Sequence, residues 1–172
     1  MKKNSIYFII LGLVIVVVFF IFNFNNFNKS IVNSQNSWEE VENIYTSKQE
    51  LIPKLIKIID DSSLENNTLS IRLNTLKLSY KIANTPTTYS ILDLIFSDIL
   101  NELKKESYST SNNNDCIKFI NIYNELEIKL YSAKKNYNEK ANILNTSMRK
   151  FPNNVYSRLF GINSKSLFEL AL

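Results

Sequence analysis

Histidine is absent from the 172 residues, cysteine occurs once, glycine twice and proline three times. Each scarcity removes a class of explanation. Without histidine there is no imidazole triad, general base or metal ligand. The lone Cys116 can close no internal disulfide and builds no cysteine-rich metal site. A small buried apolar role is the expectation for it. Gly12 and Gly161, with Pro53, Pro86 and Pro152, are too few for the many tight turns of a β-sandwich or a doubly wound sheet. No glycine-rich loop can cradle a phosphate. Asparagine is frequent, but Gln35 and Gln49 are the only glutamines, so the bias is not that of a prion-like tract. The run Asn112–Asn114 is therefore not read as a site.

An excess of one charge is also missing from most of the chain. The formal charge is +4, but Lys2, Lys3 and Lys29 flank an apolar run. Without those three, 17 basic side chains face 16 acidic ones from residue 30 onward. A nucleic-acid partner would require a basic face in the domain itself, and none is expected.

What the chain does have begins with that apolar run. Ile6–Phe22 contains no charged or amide residue, and Phe24 extends it. As a helix it measures about 26–29 Å, close to the thickness of a bilayer's hydrocarbon core. It ends Phe19-Phe20-Ile21-Phe22-Asn23-Phe24-Asn25, with no small-residue cleavage step and no cysteine to lipidate. The expected organisation is a tail (1–5), a transmembrane helix (6–24), a polar membrane-proximal linker or frayed helix (25–36) and one domain (37–172). Lys2 and Lys3 put the N-terminus in the cytoplasm and the domain outside a bacterial cytoplasmic membrane.

The domain reads as all-α, an elongated antiparallel four-helix bundle. Ser37-Trp38-Glu39-Glu40 fits a capping box with Ser37 as N-cap. Behind it Trp38, Val41, Tyr45, Lys48, Ile52, Leu55 and Ile59 share one helical face. Pro53 should bend that rod, and Asp60–Ser63 should turn the chain. Leu69, Leu73, Leu76, Tyr80 and Ala83 form the second stripe. Asn84–Thr87 breaks it and starts a third helix bearing Leu92, Phe96, Ile99 and Leu103. Glu106–Asp115 is the longest polar stretch and the expected mobile loop. A long fourth helix, Asp115–Phe151, carries Phe119, Tyr123, Leu126, Leu130, Ala133, Tyr137, Ala141, Leu144, Met148 and Phe151, and Pro152 ends it. Four such amphipathic helices bury their stripes together. Asn153–Leu172 is expected to fold back as two short helical pieces around Gly161.

Two stretches carry a family resemblance. One is Trp38–Tyr45 with Glu50-Leu51-Ile52-Pro53-Lys54-Leu55-Ile56. The other is Tyr137-Asn138, Leu144-Asn145, Phe151-Pro152-Asn153-Asn154 and Arg158-Leu159-Phe160-Gly161. With the N-terminal anchor, their order and spacing resemble the LemA family of bacterial membrane proteins, over residues 1 to about 168. Leu144 stands where the family pattern has a second tyrosine, the usual His-Glu step is lacking, and a basic pair is reduced to Lys48. The resemblance implies an antiparallel helical bundle on an anchor, and little about activity.

The residues themselves support interaction rather than chemistry. Asp98 and Glu102, and Glu125 and Glu127, read as solvated acids rather than a catalytic pair. Lys134-Lys135 and Arg149-Lys150 read as solvated faces. Asn138 and Asn145 read as a polar layer that sets register or partner choice, and Arg158 as a cap on helix C-terminal carbonyls. The structural or interaction motif is thus Trp38, Pro53, Asn138, Asn145, Phe151, Pro152, Arg158, Phe160 and Gly161. No catalytic residue, cofactor, metal or small-molecule substrate is expected. The functional expectation is a membrane-anchored scaffold or adaptor of the cell envelope with protein partners or self-association. The alternative is a ligand-sensing bundle that, with so short an N-terminal tail, signals through a membrane partner.

Overall fold

The computed structural model describes residues 2–61, 67–107 and 114–170, and all the regular structure in them is helical. The order is α1 (Lys2–Asp61), α2 (Asn67–Ile82), α3 (Pro86–Ser107), α4 (Asn114–Ser147) and α5 (Asn153–Leu159). Residues 161–170 follow as an irregular strap.

The first helix is one unbroken rod of 60 residues, about 90 Å long at 1.5 Å per residue. The apolar run and the first domain helix are therefore a single element. Ser37 does not cap a helix. It is buried mid-rod, and its hydroxyl donates to the carbonyl of Ser34 at 2.9 Å. Of the two readings of residues 25–36, the helical one holds: Phe27 and Ser34 give that stretch a buried face, and no glycine or proline interrupts it. Asp60 and Asp61 close α1 instead of turning the chain, while the turn expected at Ser62-Ser63 lies outside the described residues. Pro53 sits inside the rod on its exposed side, where the missing N–H costs one backbone bond and no packing.

From Val41 onward, α1 joins α2, α3 and α4 around one core. The stripe read from the sequence is the stripe that is buried: Val41, Tyr45, Ile52, Leu55 and Ile59 from α1; Leu69, Leu73, Leu76 and Tyr80 from α2; Leu92, Phe96, Ile99 and Leu103 from α3; Phe119, Leu130, Ala133, Tyr137 and Ala141 from α4. Cys116 is buried among them, as expected of a small apolar side chain. Before Phe20, by contrast, the described side chains of the apolar run are all exposed. That helix is long and apolar enough to cross a membrane.

Local chemistry sets the ends. Thr85 and Thr88 form a reciprocal cap on α3, each backbone N–H donating to the other's hydroxyl at 3.2 and 3.1 Å, with Pro86 in the first turn where no N–H is needed. The long fourth helix stops at Ser147, short of Phe151. Arg149 and Lys150 tighten onto the carbonyls of Thr146 and Ser147 at 3.3 and 3.0 Å, and a cis Phe151–Pro152 bond follows. Pro152 is buried, and its carbonyl accepts from Val155 and Tyr156 to open α5. At the other end Gly161 adopts φ +63° and the Ile162 N–H reaches back to Ser157 at 2.8 Å, the bond that closes a helix through a left-handed residue. Gly161 thus makes the expected turn, but an extended strap follows it rather than a second helix. The expectation of a mobile loop falls largely on residues 108–113, outside the described residues.

Candidate functional site

Lys48 is fully buried, although it carries a charge. Its place in the α1 stripe, between Tyr45 and Ile52, forces the ammonium into the core. Isolated, such a charge would be prohibitively costly. Two carboxylates meet it: Asp93 of α3 at 2.6 Å and Glu127 of α4 at 2.5 Å. The rings of Tyr45, Phe96 and Tyr123 lie 5.6, 5.7 and 5.3 Å from its nitrogen, within cation–π range. Lys134 of α4 donates to the second oxygen of Asp93 at 2.6 Å, and so does the hydroxyl of Tyr45, also at 2.6 Å. Two ammonium groups and two carboxylates leave this cluster neutral while it ties three helices together.

The electrostatics follow from that geometry. Burial alone would raise the Asp93 carboxyl, but Lys48 and Lys134 outweigh it and hold the group below its ordinary value. Burial first, and the neighbouring carboxylates second, push the hydroxyls of Tyr45, Tyr80 and Tyr123 far above the usual phenol range. Tyr45 therefore stays protonated and donates to Asp93. The Tyr80 hydroxyl is buried without a hydrogen-bond partner.

Asp93, Glu127 and Lys134 were not legible as a site from sequence. Glu127 and Lys134, read as solvated, are drawn in by Lys48 and by Asp93. Signals did exist. Asp93 lies four residues after Tyr89 and three before Phe96, on the α3 stripe, and a lysine on a core stripe demands a buried acid. The other acids behave as read, since Asp98 and Glu125 are exposed. Glu102 pairs with Arg72 at 2.6 Å near the surface.

Beside the cluster lies the strap. Asn138 donates to the Phe168 carbonyl and accepts its N–H, both at 2.8 Å. Asn145 does the same for Lys165, again at 2.8 Å twice. Seven residues of helix rise about 10.5 Å and three residues of extended chain about 10 Å, so the two asparagines match two rungs of an extended segment. Asn138 and Asn145 thus hold the backbone of the chain's own C-terminal segment. The Tyr137 hydroxyl adds a bond to the Ser166 carbonyl at 2.9 Å.

The strap delivers Phe168 to a buried aromatic group. Trp38 stacks on it at 6.0 Å, Tyr137 meets it edge-on at 5.7 Å, and Lys134 lies 5.1 Å from its ring. Lys134 therefore links the strap to the charge cluster. Beneath the strap, Ser34, Trp38, Glu42, Pro86, Tyr137 and Ser166 are among the residues lining a cleft of about 380 Å³.

The remaining motif residues gather at the other end of the domain. The Tyr156 hydroxyl of α5 donates to the Phe20 carbonyl of α1 at 2.9 Å. Phe151 meets Phe20 at 5.9 Å and Phe160 meets Phe24 at 5.7 Å. Arg158 does not cap the domain. It is exposed on the outer side of α5, and its side chain makes no hydrogen bond or ion pair among the described residues, because the α5 end is closed by the backbone bond around Gly161.

Each charge in the cluster is matched, and Lys48 has no exposed surface from which to attack a substrate. Among the described residues no group of three or more acids or cysteines is placed to hold a metal.

The model of one family, the LemA family, matches residues 37–172. No curated protein matches the chain.

Proposed function

Because the chain belongs to the LemA family, we propose that it is a non-catalytic scaffold or adaptor of the bacterial cell envelope, fixed to the cytoplasmic membrane by the first part of α1. In this reading the domain half of α1 with α2, α3 and α4 works as an elongated antiparallel four-helix bundle. The observation that carries it is the internal pairing of Lys48, Asp93, Glu127 and Lys134. Residue types that could do chemistry are engaged in holding helices in register. A buried ionic cluster of this sort favours one helix arrangement over others rather than adding much stability.

The unbroken α1 supports a mechanical role. Anchor and domain share one helix, so a force or tilt at the membrane reaches the Lys48 cluster, about 40 Å along the rod from Phe20, without a hinge. The partner side is the outer face of the domain. Ile71, Leu78 and Ile82 leave an exposed apolar line along α2, of the kind that partner helices or a second copy cover.

The test is site-specific photocrosslinking from Leu78 and Ile82 in living cells. A discrete adduct that disappears when neighbouring Ile71 is changed to Asp supports the adaptor reading. Crosslinks to nothing but lipid would defeat it. Placement is read separately with Leu78→Cys in a Cys116→Ala background: labelling of intact cells by an impermeant maleimide puts the domain outside.

A ligand-sensing bundle that signals through a membrane partner is the second reading, favoured by the polar cleft beneath the strap. It requires that a small molecule stabilise the chain and that Asn138→Leu abolish the effect. A screen in which stabilisation survives strap release would count against it.

A further inference from the structure

Phe151, Val155, Leu159 and Phe160 leave 67%, 41%, 73% and 61% of their surface exposed around one short helix. Single exposed apolar residues are ordinary, but four together call for a cover. The position of α5 says what the cover is. The Tyr156–Phe20 hydrogen bond at 2.9 Å fixes its height along α1. The Tyr156 ring meets Phe24 at 5.3 Å and Phe27 at 6.2 Å, and Phe151 and Phe160 flank it against Phe20 and Phe24. These are the last turns of the apolar run.

A bilayer core of about 30 Å takes about 20 helical residues. A span that starts at Ile6 therefore ends near Asn25, and Phe20–Phe24 lie within about 7 Å of the hydrocarbon edge. The exposed face of α5 must sit at that edge. Arg149, Lys150 and Arg158 surround it, all exposed, and none of their side chains has a hydrogen-bond or ion-pair partner among the described residues. Aromatic and aliphatic groups beside unpaired basic ones are the composition of an element lying in a membrane interface.

We propose that residues 149–160 form a membrane foot, with Phe151, Val155, Leu159 and Phe160 in the boundary between headgroups and acyl chains and Arg149, Lys150 and Arg158 on anionic lipid phosphates. The proposal rests on the reading of α1 as a membrane anchor. It gives the domain a second point of lipid contact beside the anchor, which resists tilting about α1. It also ties the strap to the bilayer, because Gly161 begins the strap where the foot ends.

The experiment uses the full chain in lipid nanodiscs, in a Cys116→Ala background, with a fluorophore on Val14→Cys, Leu159→Cys or Ile71→Cys. Nitroxide lipids labelled near the headgroup or deep in the acyl chain serve as quenchers. The Val14 probe should be quenched by the deep label, the Leu159 probe by the shallow label, and the Ile71 probe by neither. Quenching at Val14 without quenching at Leu159 overturns the foot and leaves the anchor standing. No quenching at Val14 overturns the anchor and the foot with it. Adding anionic lipid to a zwitterionic disc should strengthen shallow quenching at Leu159. The variant Arg149→Gln/Lys150→Gln/Arg158→Gln should lose roughly half of that signal. A signal indifferent to both changes removes the basic residues from the proposal.

Discussion

The side-chain amide of Asn138 occupies both backbone hydrogen-bonding groups of Phe168, donating to its carbonyl and accepting its N–H at 2.8 Å each. An asparagine has the one donor and one acceptor, side by side, that an adjacent β-strand would present. Asn145 repeats the arrangement at Lys165. The helix thereby holds an extended segment by its backbone, and Phe168 supplies the specific side-chain contact.

Asn138→Leu should loosen the strap at Phe168, while Asn145 still holds it at Lys165. Two bonds of ordinary strength disappear, and the cost should be about 1–3 kcal/mol. Hydrogen exchange at the Phe168 amide should accelerate, while the Lys165 amide, held by Asn145, and amides in the middle of α4 keep their protection. Asn138→Gln should not rescue, since one extra methylene displaces both groups from the strap. Unchanged exchange at Phe168 would show that the strap is held some other way.

Phe168→Ala removes a buried ring from between Trp38, Tyr137 and Lys134, at a cost of about 3–5 kcal/mol if the strap cannot collapse inward. Trp38 is the only tryptophan, so its fluorescence reads this site directly. The expected result is a red-shifted emission with increased quenching by iodide in the still-folded variant. An emission identical to that of the parent chain would contradict the packing.

Asp93→Asn leaves Lys48 with Glu127 alone and takes the partner from Lys134. Breaking a buried ionic cluster on one side should destabilise by about 3–5 kcal/mol, measured by denaturant unfolding. A substitution that removes charge without leaving an orphan, such as Lys134→Met, should cost less. Reversal of that order would mean that Asp93 is not the centre of the cluster.

The pH dependence has opposite signs at the two extremes. Asp93 is held below the ordinary carboxylate value in the folded chain, so its contribution is complete above the unfolded value of about 3.9 and is lost as pH falls through the lower folded value. Tyr45, Tyr80 and Tyr123 are raised in the folded chain. Their contribution is complete below the unfolded value of about 10 and declines as pH rises above it. Ultraviolet titration should show these three ionising only as helicity is lost. A smooth titration of all tyrosines near pH 10 with intact circular dichroism would contradict their burial.

Gly161→Ala tests the turn between foot and strap. Nothing lies within 4 Å of an added Cβ, but φ is +63°, so the penalty is backbone strain alone. A loss of about 1–2 kcal/mol is expected. Gly161→Asn, which tolerates that conformation better, should cost less than the alanine.

The fold was largely readable from periodicity. Every residue of the α1 stripe from Val41 to Ile59 is buried, Lys48 included, because a 3.6-residue repeat fixes which side chains share a face before any partner is known. The errors lie where local signals compete with packing. Ser37-Trp38-Glu39-Glu40 has the letters of a helix start, but Phe27, Ser34 and Ser37 face a partner, so the helix runs straight through. Phe151 continues the heptad of α4 on paper. In the fold it leaves the stripe, because the chain turns at Met148–Pro152 and delivers it to Phe20.

The candidate site was legible only in fragments. Asn138 and Asn145 stand out by their seven-residue spacing, and Lys48 by its place in an apolar stripe. Neither could name its counterpart. Asp93 is 45 positions from Lys48, Glu127 is 79, and Phe168 is 30 from Asn138. Composition and periodicity act over a few turns of chain, and they suffice to specify long helices, their apolar faces and an apolar N-terminal run. Which acid neutralises Lys48, why Glu127 and Lys134 turn toward Lys48 and Asp93, and where residues 161–170 lie depend on groups brought together by packing, and that became definite only when the helices met.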